Sequence, residues 1–374
     1  MDQGQGIRQQ LRVELPLISM PALRPVERAR GCLLGGAVGD ALGAPTEFLS
    51  IEEIRAKYGS RGVTQFEEAY GRRGAITDDT QMTFFTAEGL IRAIVRGRER
   101  GLSSFPSVVR HAYLRWLHTQ GTSWGDIRLD EEAPDGWLIH ETVMHHRRAP
   151  GNTCLSALRG PMGEPYKPLN GSKGCGGVMR AAPVGLVPRA YGDPFRNGCD
   201  VAAITHGHPS GFLSAGFLAM LIAELFDGAR LEEALDRTEP YLQRWPECEE
   251  VGIAVRQARR MAESGEATPE NIEHLGEGWV AEEALAIAIF CAVTAKDFRS
   301  GVLAAANHGG DSDSTGAITG NILGTLWGVG AIPQEWVEEV EGRKIAETLG
   351  RDLIEIANGE GDVSDYDRQR YPGW

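Results

Sequence analysis

Glycine recurs at every fourth position in two separate segments of this chain, and this spacing constrains the fold more than any other feature. The glycines of the two sets are Gly31, Gly35, Gly39 and Gly43, then Gly316, Gly320, Gly324 and Gly328. A glycine inside a helix costs about 1 kcal/mol relative to alanine, and residues four apart lie on one helical face. The apolar residues between the glycines of the second set argue against a flexible linker. We therefore predict a helix whose glycine face packs closely against another backbone.

The other segments with a clear periodicity are also helical. Apolar residues recur at helical spacing from Val26 onward and in residues 82–96, 110–117, 212–226, 231–235, 251–261 and 281–293. The alternation of apolar and polar residues that is typical of strands is almost absent. Residues 118–176 are rich in proline, and loops of this length inside a domain are usually functional or mobile. We predict an all-α protein, folded as a compact multi-helix bundle.

The first 25 residues differ from the rest of the chain. Pro16, Pro21 and Pro25 lie close together, with apolar residues between the first two. Closely spaced prolines block helices and favour extended backbone. We therefore predict an extended N-terminal arm over residues 1–25 and one domain over residues 26–374.

The composition excludes several classes of function. The 374 residues carry a formal net charge of −14, so no positive field attracts nucleic acid. The six cysteines are scattered and form no Cys-x-x-Cys pair, which argues against a disulfide framework or a structural zinc site. The N-terminus lacks the pattern of a secretion signal, and the longest apolar run that we identify, residues 284–295, is too short to span a bilayer. We expect a cytoplasmic protein with no membrane or nucleic-acid partner.

Two acidic clusters each precede a predicted helix. They are Thr77-Asp78-Asp79-Thr80 and Gly309-Gly310-Asp311-Ser312-Asp313-Ser314-Thr315. Neighbouring carboxylates repel each other and favour a bound cation, and oxygen ligands without His or Cys suit Mg²⁺, Mn²⁺ or Ca²⁺. The alternative is helix capping, because Thr, Ser and Asp are preferred at helix N-termini. The second cluster does not fit a calcium loop, which needs a glutamate where Ile322 stands.

The clusters belong to a set of five short blocks that span roughly residues 26–340. The blocks are Gly35-Gly36-Ala37-Val38-Gly39-Asp40-Ala41-Leu42-Gly43 with Glu47, Thr77-Asp78-Asp79-Thr80, Gly174-Cys175-Gly176-Gly177-Val178-Met179-Arg180 with Pro183, Thr205-His206, and Gly309-Gly310-Asp311-Ser312-Asp313-Ser314 with Gly316-Ala317. In this order they resemble the ADP-ribosylglycohydrolase family, which includes the hydrolases that reactivate ADP-ribosylated dinitrogenase reductase. Any single block is weakly specific, whereas all five in order are highly specific.

The resemblance implies an all-α fold around a central binuclear site for two Mg²⁺ or Mn²⁺ ions. By position in the blocks, the ligands are Thr77, Asp78 and Asp79 for one ion, Asp311 and Ser314 for the other, and Asp313 for both. The ions would bind the hydroxyls of the distal ribose and orient a water molecule that attacks C1″. A glycosidic bond of this kind breaks through an oxocarbenium-like transition state. We therefore expect Asp78 and Asp313 to be essential for catalysis.

Two further acidic residues are assigned by the resemblance. Glu47 matches the family glutamate that closes over the site, so we expect a role in gating or in general acid–base catalysis. Asp40 matches an aspartate of the first block, and we expect it to support the ligands rather than bind an ion. One further family aspartate, on a loop near the scissile bond, corresponds to Asp126, Asp130 or Asp135, and the sequence leaves these three open.

The resemblance also assigns residues to the pyrophosphate of the substrate. Gly174, Cys175, Gly176 and Gly177 fit a glycine-rich stretch whose amides donate to phosphate oxygens, and a loop–helix junction is the alternative interpretation. His206 would contact the pyrophosphate or the distal ribose, or else be a structural residue. Arg180 is either a phosphate contact or a buried structural partner, and the remaining histidines, including His145 and His146, are predicted to lie at the surface.

The reaction that these assignments predict is hydrolysis of the N-glycosidic bond between ADP-ribose and an arginine side chain of a modified protein. Acidic residues in the long loop (Asp126, Asp130, Glu131 and Glu132) would suit a guanidinium. Alternatives are hydrolysis of ADP-ribosyl-serine or O-acetyl-ADP-ribose by the same fold, and a non-catalytic, crystallin-like protein that binds ADP-ribose. The family also contains immunity proteins, so residues 1–25 are a candidate contact for an ADP-ribosyltransferase toxin, or else a disordered or self-packed terminus.

Overall fold

A computed structural model describes residues 23–127, 133–359 and 362–373. In these ranges sixteen α-helices and one two-stranded antiparallel sheet account for nearly all regular structure, and short 3₁₀ turns connect them. The helices are α1 Pro25–Gly43, α2 Ile51–Tyr58, α3 Asp78–Arg100, α4 Phe105–Thr119, α5 Asn152–Ala157, α6 Pro194–Ala203, α7 Pro209–Phe226, α8 Leu231–Leu242, α9 Glu249–Ser264, α10 Pro269–Ile272, α11 Ala281–Thr294, α12 Phe298–Ala305, α13 Ser312–Trp327, α14 Gln334–Glu339, α15 Arg343–Asn358 and α16 Asp365–Arg370. The strands are β1 Glu68–Ala69 and β2 Arg72–Arg73, paired antiparallel. The all-α prediction is confirmed.

The two glycine sets pack against each other, because α1 and α13 are antiparallel neighbours. Their closest approaches pair Gly31 with Gly324, Gly35 with Gly320, and Gly39 with Gly316. A Cβ atom placed on any of these six glycines would overlap the carbonyl oxygen of the opposite glycine. The glycines are therefore required by direct contact between two helix backbones, as the sequence predicts for the second set.

The last glycine of the second set has a different role from the predicted one. Gly328 follows the final residue of α13 and has φ +75°, a left-handed backbone conformation that only glycine adopts readily. Its amide donates the last helical hydrogen bond, to the carbonyl of Gly324, and its positive φ turns the chain out of the helix. The prediction that Gly328 belongs to the packed helical face is therefore wrong.

The interior of the bundle contains helices that are apolar on every side. Nearly all residues of α7 and α11 are buried, so these helices have no hydrophilic face. By length and composition α7 is apolar enough to cross a membrane, and 89% of its 18-residue window is buried inside the protein. The 18-residue α7 is therefore a longer apolar segment than residues 284–295, the run that we predict to be the longest.

The predicted arm falls almost wholly outside the described part of the chain. The description begins at Leu23, and Pro25 is already the first residue of α1, a position that suits proline because its missing N–H would have no helical partner there. The proline-rich region 118–176 contains α5 and several 3₁₀ turns between irregular segments. All six cysteines are free thiols, as their spacing predicts.

We predict that Gly320→Ala destabilises the protein although alanine favours helices. The added methyl group would overlap the backbone of Gly35, which cannot move without shifting α1. Overpacking of this kind costs about 1–3 kcal/mol, and urea denaturation followed by circular dichroism measures the loss.

The matched control is Gly97→Ala in α3. There the nearest atom to a new Cβ is Ser103 Cβ at 3.6 Å, an ordinary contact distance. This variant should be neutral or stabilised by up to about 1 kcal/mol. If both variants unfold at the same urea concentration, close contact between α1 and α13 does not limit this position.

Candidate functional site

The first acidic cluster lies at the N-terminus of α3 and is held by a carboxylate from α1. Thr77 is the N-cap residue, and its hydroxyl accepts a hydrogen bond from the Asp79 amide at 3.3 Å. Asp40 accepts from the Thr77 amide and hydroxyl at 2.9 Å each, and from the Thr80 amide at 3.2 Å and the Thr80 hydroxyl. Burial and the nearby Asp313 carboxylate raise the pKa of Asp40 to about 7. Asp40 therefore fixes the start of α3 from behind, and the capping interpretation and a ligand role of this cluster are compatible.

The second acidic cluster lies at the N-terminus of α13 and meets the first one. The hydroxyl of Ser314 donates to Asp79 Oδ1 at 2.7 Å, which joins the two clusters directly. Both clusters open into one cleft of about 320 Å³. The residues that line this cleft are Glu47, Phe48, Asp78, Asp79, Ala149, Pro150, Gly151, Asn152, Thr153, Cys154, Gly174, Cys175, Gly176, Met179, His206, Trp279, Asp311, Asp313 and Ser314. Most of the predicted site residues are thus brought together, whereas Thr77 and Gly177 are buried behind the surface of the cleft.

The cleft concentrates carboxyl groups in a buried setting. Burial is the largest cause that raises the pKa of Glu47, Asp78, Asp79, Asp311 and Asp313, and in the first four the charge of Asp313 is the next cause. For Glu47 the pKa rises to about 11. Several carboxylates this close cannot all ionise unless cations neutralise them.

The donors in the cleft fit hard divalent cations. Carboxylate and hydroxyl oxygens predominate, and Glu47 Oε2 is buried without a hydrogen-bond partner among the described residues. Within the described ranges, no three His, Cys, Asp or Glu side chains converge on one point. The carboxylates instead accept hydrogen bonds from their neighbours, such as Asp78 from the Gly151 amide at 3.3 Å and Asp311 from the Cys175 thiol at 2.7 Å.

The glycine-rich segment forms one wall of the cleft as a 3₁₀ turn, Cys175–Gly177. Two of its four amides already have acceptors in the protein, because Cys175 donates to the Trp279 carbonyl at 3.1 Å and Gly174 to Ser172 Oγ at 3.4 Å. A Cβ atom on Gly176 would lie 3.0 Å from both Cys154 Sγ and His206 Cε1, so a side chain there would require these neighbours to shift by a few tenths of an ångström. Gly176 is the member of this segment that remains the best candidate to meet a ligand.

His206 lies against the glycine-rich wall and is neutral. Burial and the Arg180 guanidinium lower the pKa of His206 to about 3. Arg180 donates to Thr205 Oγ1 at 2.6 Å, and Thr205 Oγ1 lies 2.8 Å from His206 Nδ1. If the Thr205 hydrogen points to Nδ1, the imidazole N–H is on Nε2, which faces Gly174 and Gly176. The ring can then donate a hydrogen bond into the cleft.

Arg180 itself is structural. It is fully buried, and its guanidinium lies 4.2 Å from the centre of the Tyr113 ring. This contact, together with the hydrogen bond to Thr205, orients the histidine from behind. Of the two roles that the sequence leaves open for Arg180, the structure supports the buried one.

Comparison with known proteins places this geometry in a family. The sequence pattern of the family described as ADP-ribosylglycohydrolase matches residues 20–363. The chain belongs to the ADP-ribosylglycohydrolase family. The predicted resemblance is therefore confirmed over nearly the whole described chain.

Several relatives cover most of this glycohydrolase. The ADP-ribosylarginine hydrolase Tri1 of Serratia proteamaculans is 26% identical over 92% of this chain and 84% of its own, and the ADP-ribosyl-[dinitrogen reductase] glycohydrolase of Rhodospirillum rubrum is 26% identical over 84% and 90%. Mouse ADP-ribosylhydrolase ARH3 is 23% identical over 90% and 93%. A solved structure of an ADP-ribosylglycohydrolase-related protein complex superposes with a TM-score of 0.60 at 26% identity, covering 89% of this chain and 99% of that one. The names differ in substrate, so the comparisons establish the family and not the linkage that is cleaved.

Sequence reasoning misses an aromatic pair at the mouth of the glycohydrolase cleft. Phe48 and Trp279 stack with ring centroids 5.2 Å apart, and the Phe48 side chain is 66% exposed. Phe48 has φ +66°, which is uncommon for a residue other than glycine, and it directly follows Glu47. The sequence carries no signal for this pair, because the two residues lie far apart along the chain.

Neither of the described aspartates of the acidic loop, Asp126 and Asp135, lines the cleft. Asp135 forms an ion pair with the buried Arg92 at 2.5 Å, and Asp126 lines a separate cavity with Arg110 and Arg159. Asp130, Glu131 and Glu132 lie outside the described residues.

His145 and His146 are exposed as predicted, whereas His308 is buried and hydrogen bonded to Thr315 Oγ1 at 2.8 Å. The prediction that all the remaining histidines lie at the surface is wrong for His308, because a partner in α13 satisfies its ring.

We predict that Asp313→Asn stabilises the metal-free protein at alkaline pH. Carboxyl pKa values that are raised on folding mean that ionisation disfavours the fold, so the penalty is absent below about pH 4 and grows as the pH rises. Asparagine keeps the acceptor for the Ser314 amide but removes the charge that acts on the other four carboxyls. The free energy of unfolding at pH 8 should rise by about 1 kcal/mol or more, since one pKa unit corresponds to about 1.4 kcal/mol.

Urea denaturation in the presence of a chelator at pH 5 and pH 8 measures this effect. Asp365→Asn is the control, because the Asp365 side chain is 98% exposed and should respond little at either pH. An equal or lower stability of Asp313→Asn at pH 8 would show that the carboxyl cluster does not oppose folding.

Proposed function

We propose that this glycohydrolase uses two divalent metal ions to hydrolyse the N-glycosidic bond between ADP-ribose and an arginine side chain. The observation that carries the proposal is the hydrogen bond from Ser314 to Asp79, which brings the acidic starts of α3 and α13 to one cleft. A glycine-rich wall and a neutral imidazole line the same cleft. One substrate could therefore contact ions held by the carboxylates and hydrogen-bond donors on the glycine-rich wall at the same time.

The proposed ligands of the two Mg²⁺ or Mn²⁺ ions are those of the family blocks. Thr77, Asp78 and Asp79 would hold one ion, Asp311 and Ser314 the other, and Asp313 both. The hydroxyl of Thr77 donates its hydrogen to Asp40 and accepts from the Asp79 amide, which leaves one oxygen lone pair for an ion. Bound ions would supply Lewis acidity and lower the pKa of a water molecule.

Glu47 is the proposed general acid–base. Burial is the largest cause that raises the pKa of its carboxyl group, followed by the charges of Asp313 and Asp311, and burial would favour the protonated form also with ions on the two aspartates. A protonated carboxyl can give its proton to the departing nitrogen, and the resulting carboxylate can accept one from water. The carboxylates around it would stabilise the positive charge that develops on the ribose.

The nucleotide would extend from the acidic clusters toward the aromatic pair. Gly176 and His206 line the same cleft and would donate to the pyrophosphate. Phe48 and Trp279 give a flat apolar surface on which a base can stack.

Arginine is the proposed linkage because the Serratia relative is named as an ADP-ribosylarginine hydrolase. The alternative substrates are ADP-ribosyl-serine and O-acetyl-ADP-ribose. A non-catalytic protein that binds ADP-ribose is disfavoured, because all six proposed ligands are present in the sequence. Toxin binding by residues 1–25 stays a prediction, and residues 1–22 lie outside the described chain.

The test is release of ADP-ribose from two peptides that differ only in an arginine- or a serine-linked ADP-ribosyl group, with Mg²⁺ or Mn²⁺ present. We expect faster release from arginine by about tenfold or more, which corresponds to about 1.4 kcal/mol of transition-state preference. Faster release from serine would contradict the arginine linkage, and so would the absence of release from both peptides.

Asp78→Ala and Asp313→Ala should each abolish release while the protein stays folded. Each variant removes a proposed ligand and also relieves repulsion among buried carboxylates. Asp365→Ala, at an exposed position, is the matched control and should hydrolyse at the wild-type rate. Wild-type turnover by either ligand variant at limiting metal would contradict the binuclear site.

A further inference from the structure

A buried ion pair lies directly behind the turn that begins α3. Arg148 and Glu341 form this pair, and their side chains are 5% and 7% exposed. Glu341 also pairs with the partly exposed Arg72 at 2.9 Å, and the Arg148 guanidinium lies 2.9 Å from His146 Nδ1. Arg148 belongs to the segment that enters the cleft, and Glu341 precedes α15 in the C-terminal part of the chain. Burial of two charges is costly unless further hydrogen bonds satisfy them, so the partners of this pair indicate what it holds.

Both members of the pair form hydrogen bonds with the backbone of Ile76, the residue before the first acidic cluster. The Arg148 guanidinium donates to the Ile76 carbonyl at 2.6 Å, and Glu341 Oε2 accepts from the Ile76 amide at 3.3 Å. The amide of Glu341 in turn donates to the Gly74 carbonyl at 3.0 Å. Both polar groups of the Ile76 backbone are therefore fixed by one ion pair.

The same pair fixes Asp78 through the backbone of the Arg148 segment. The Asp78 amide donates to the Arg148 carbonyl at 3.4 Å, and the Gly151 amide donates to Asp78 Oδ2 at 3.3 Å. Between them Ala149 has φ +48°, a strained conformation for alanine that must be maintained by its surroundings. The Arg148 segment thus contacts both the backbone and the carboxylate of Asp78.

We propose that Arg148 and Glu341 are positioning residues that hold Asp78 in its orientation toward the cleft. Arg148 anchors the 148–151 segment, and Glu341 ties it to the C-terminal part of the chain. Neither side chain lines the cleft, so both act through the backbone of Ile76 and Asp78. The description of Asp78 as a metal ligand rests on the proposed function, whereas the clamp on its backbone can be tested without metal.

The test compares the wild-type chain with Glu341→Gln, with the double variant Arg148→Met and Glu341→Leu, and with Glu339→Gln. Glu339 is the matched control, because it lies two residues from Glu341 and pairs with Arg73 of β2, next to the Arg72 that pairs with Glu341, but with 40% of its side chain exposed. The double variant replaces both charges with apolar groups, which often restores the stability that is lost when only one partner is removed. Urea denaturation verifies that each protein is folded.

The first measurement is hydrogen exchange of residues 75–82 in the metal-free proteins. We expect exchange of the Ile76 and Asp78 amides to rise about tenfold in Glu341→Gln and in the double variant, as for a locally opened segment. The amides of Thr77 and Thr80 should change less, because Asp40 still accepts from them. Glu339→Gln should exchange like the wild type.

The second measurement is Mn²⁺ affinity by titration calorimetry. Groups that orient metal ligands typically contribute about 10- to 100-fold in affinity, so we expect a loss of this size even in the double variant. Unchanged exchange at Ile76 and Asp78, or wild-type Mn²⁺ affinity in the double variant, would overturn the inference. A wild-type chain that binds no Mn²⁺ counts against the proposed function instead, and the exchange measurement still decides whether the clamp exists.

Discussion

The backbone contact between α1 and α13 is the constraint on which the rest of the structure depends. Both helices have glycines on the shared face, so their backbones touch, and neither helix can slide or rotate without overlap. The contact continues to the end of α1, where Gly43 meets the backbone of Ser312 at the start of α13. The turn that carries Glu47 and the carboxylates of Asp311 and Asp313 therefore come together as a consequence of helix packing.

Rigid packing is needed because the buried carboxyl groups of the cleft destabilise the folded protein when they ionise. Burial and mutual repulsion disfavour ionised carboxyl groups, yet the four aspartates of the cleft project from the starts of two helices. Asp40 connects α1 to α3, and the Ser314 hydroxyl connects α13 to α3. Hydrogen bonds among three helices thus hold like charges close together. Helices are suitable positions for a site whose geometry must be kept.

Local signals in the sequence predict eight of the sixteen described helices and the two acidic clusters, but they do not predict α15 or the shorter helices. Contacts between distant segments leave no such signal. The positions of Asp78 and Asp313 follow from the composition and spacing of single segments, as do α1 and α13. Phe48 and Trp279 meet only after folding, so nothing in either segment indicates their stacking. His308 was predicted at the surface because no pattern marks its burial, which depends on the packing of α13 against the preceding turn.

The helix contact also has a consequence for biosynthesis. Cys32 and Asn321, which are hydrogen bonded across α1 and α13, are 289 residues apart in the chain. At about 5–20 residues per second, α1 leaves the ribosome roughly 15 to 60 seconds before its partner helix. During this interval α1 lacks the backbone surface that its glycines require, and a short helix alone is marginal in water. The cleft can therefore form only after α13 has been synthesised, because Asp311, Asp313 and Ser314 lie at the start of that helix.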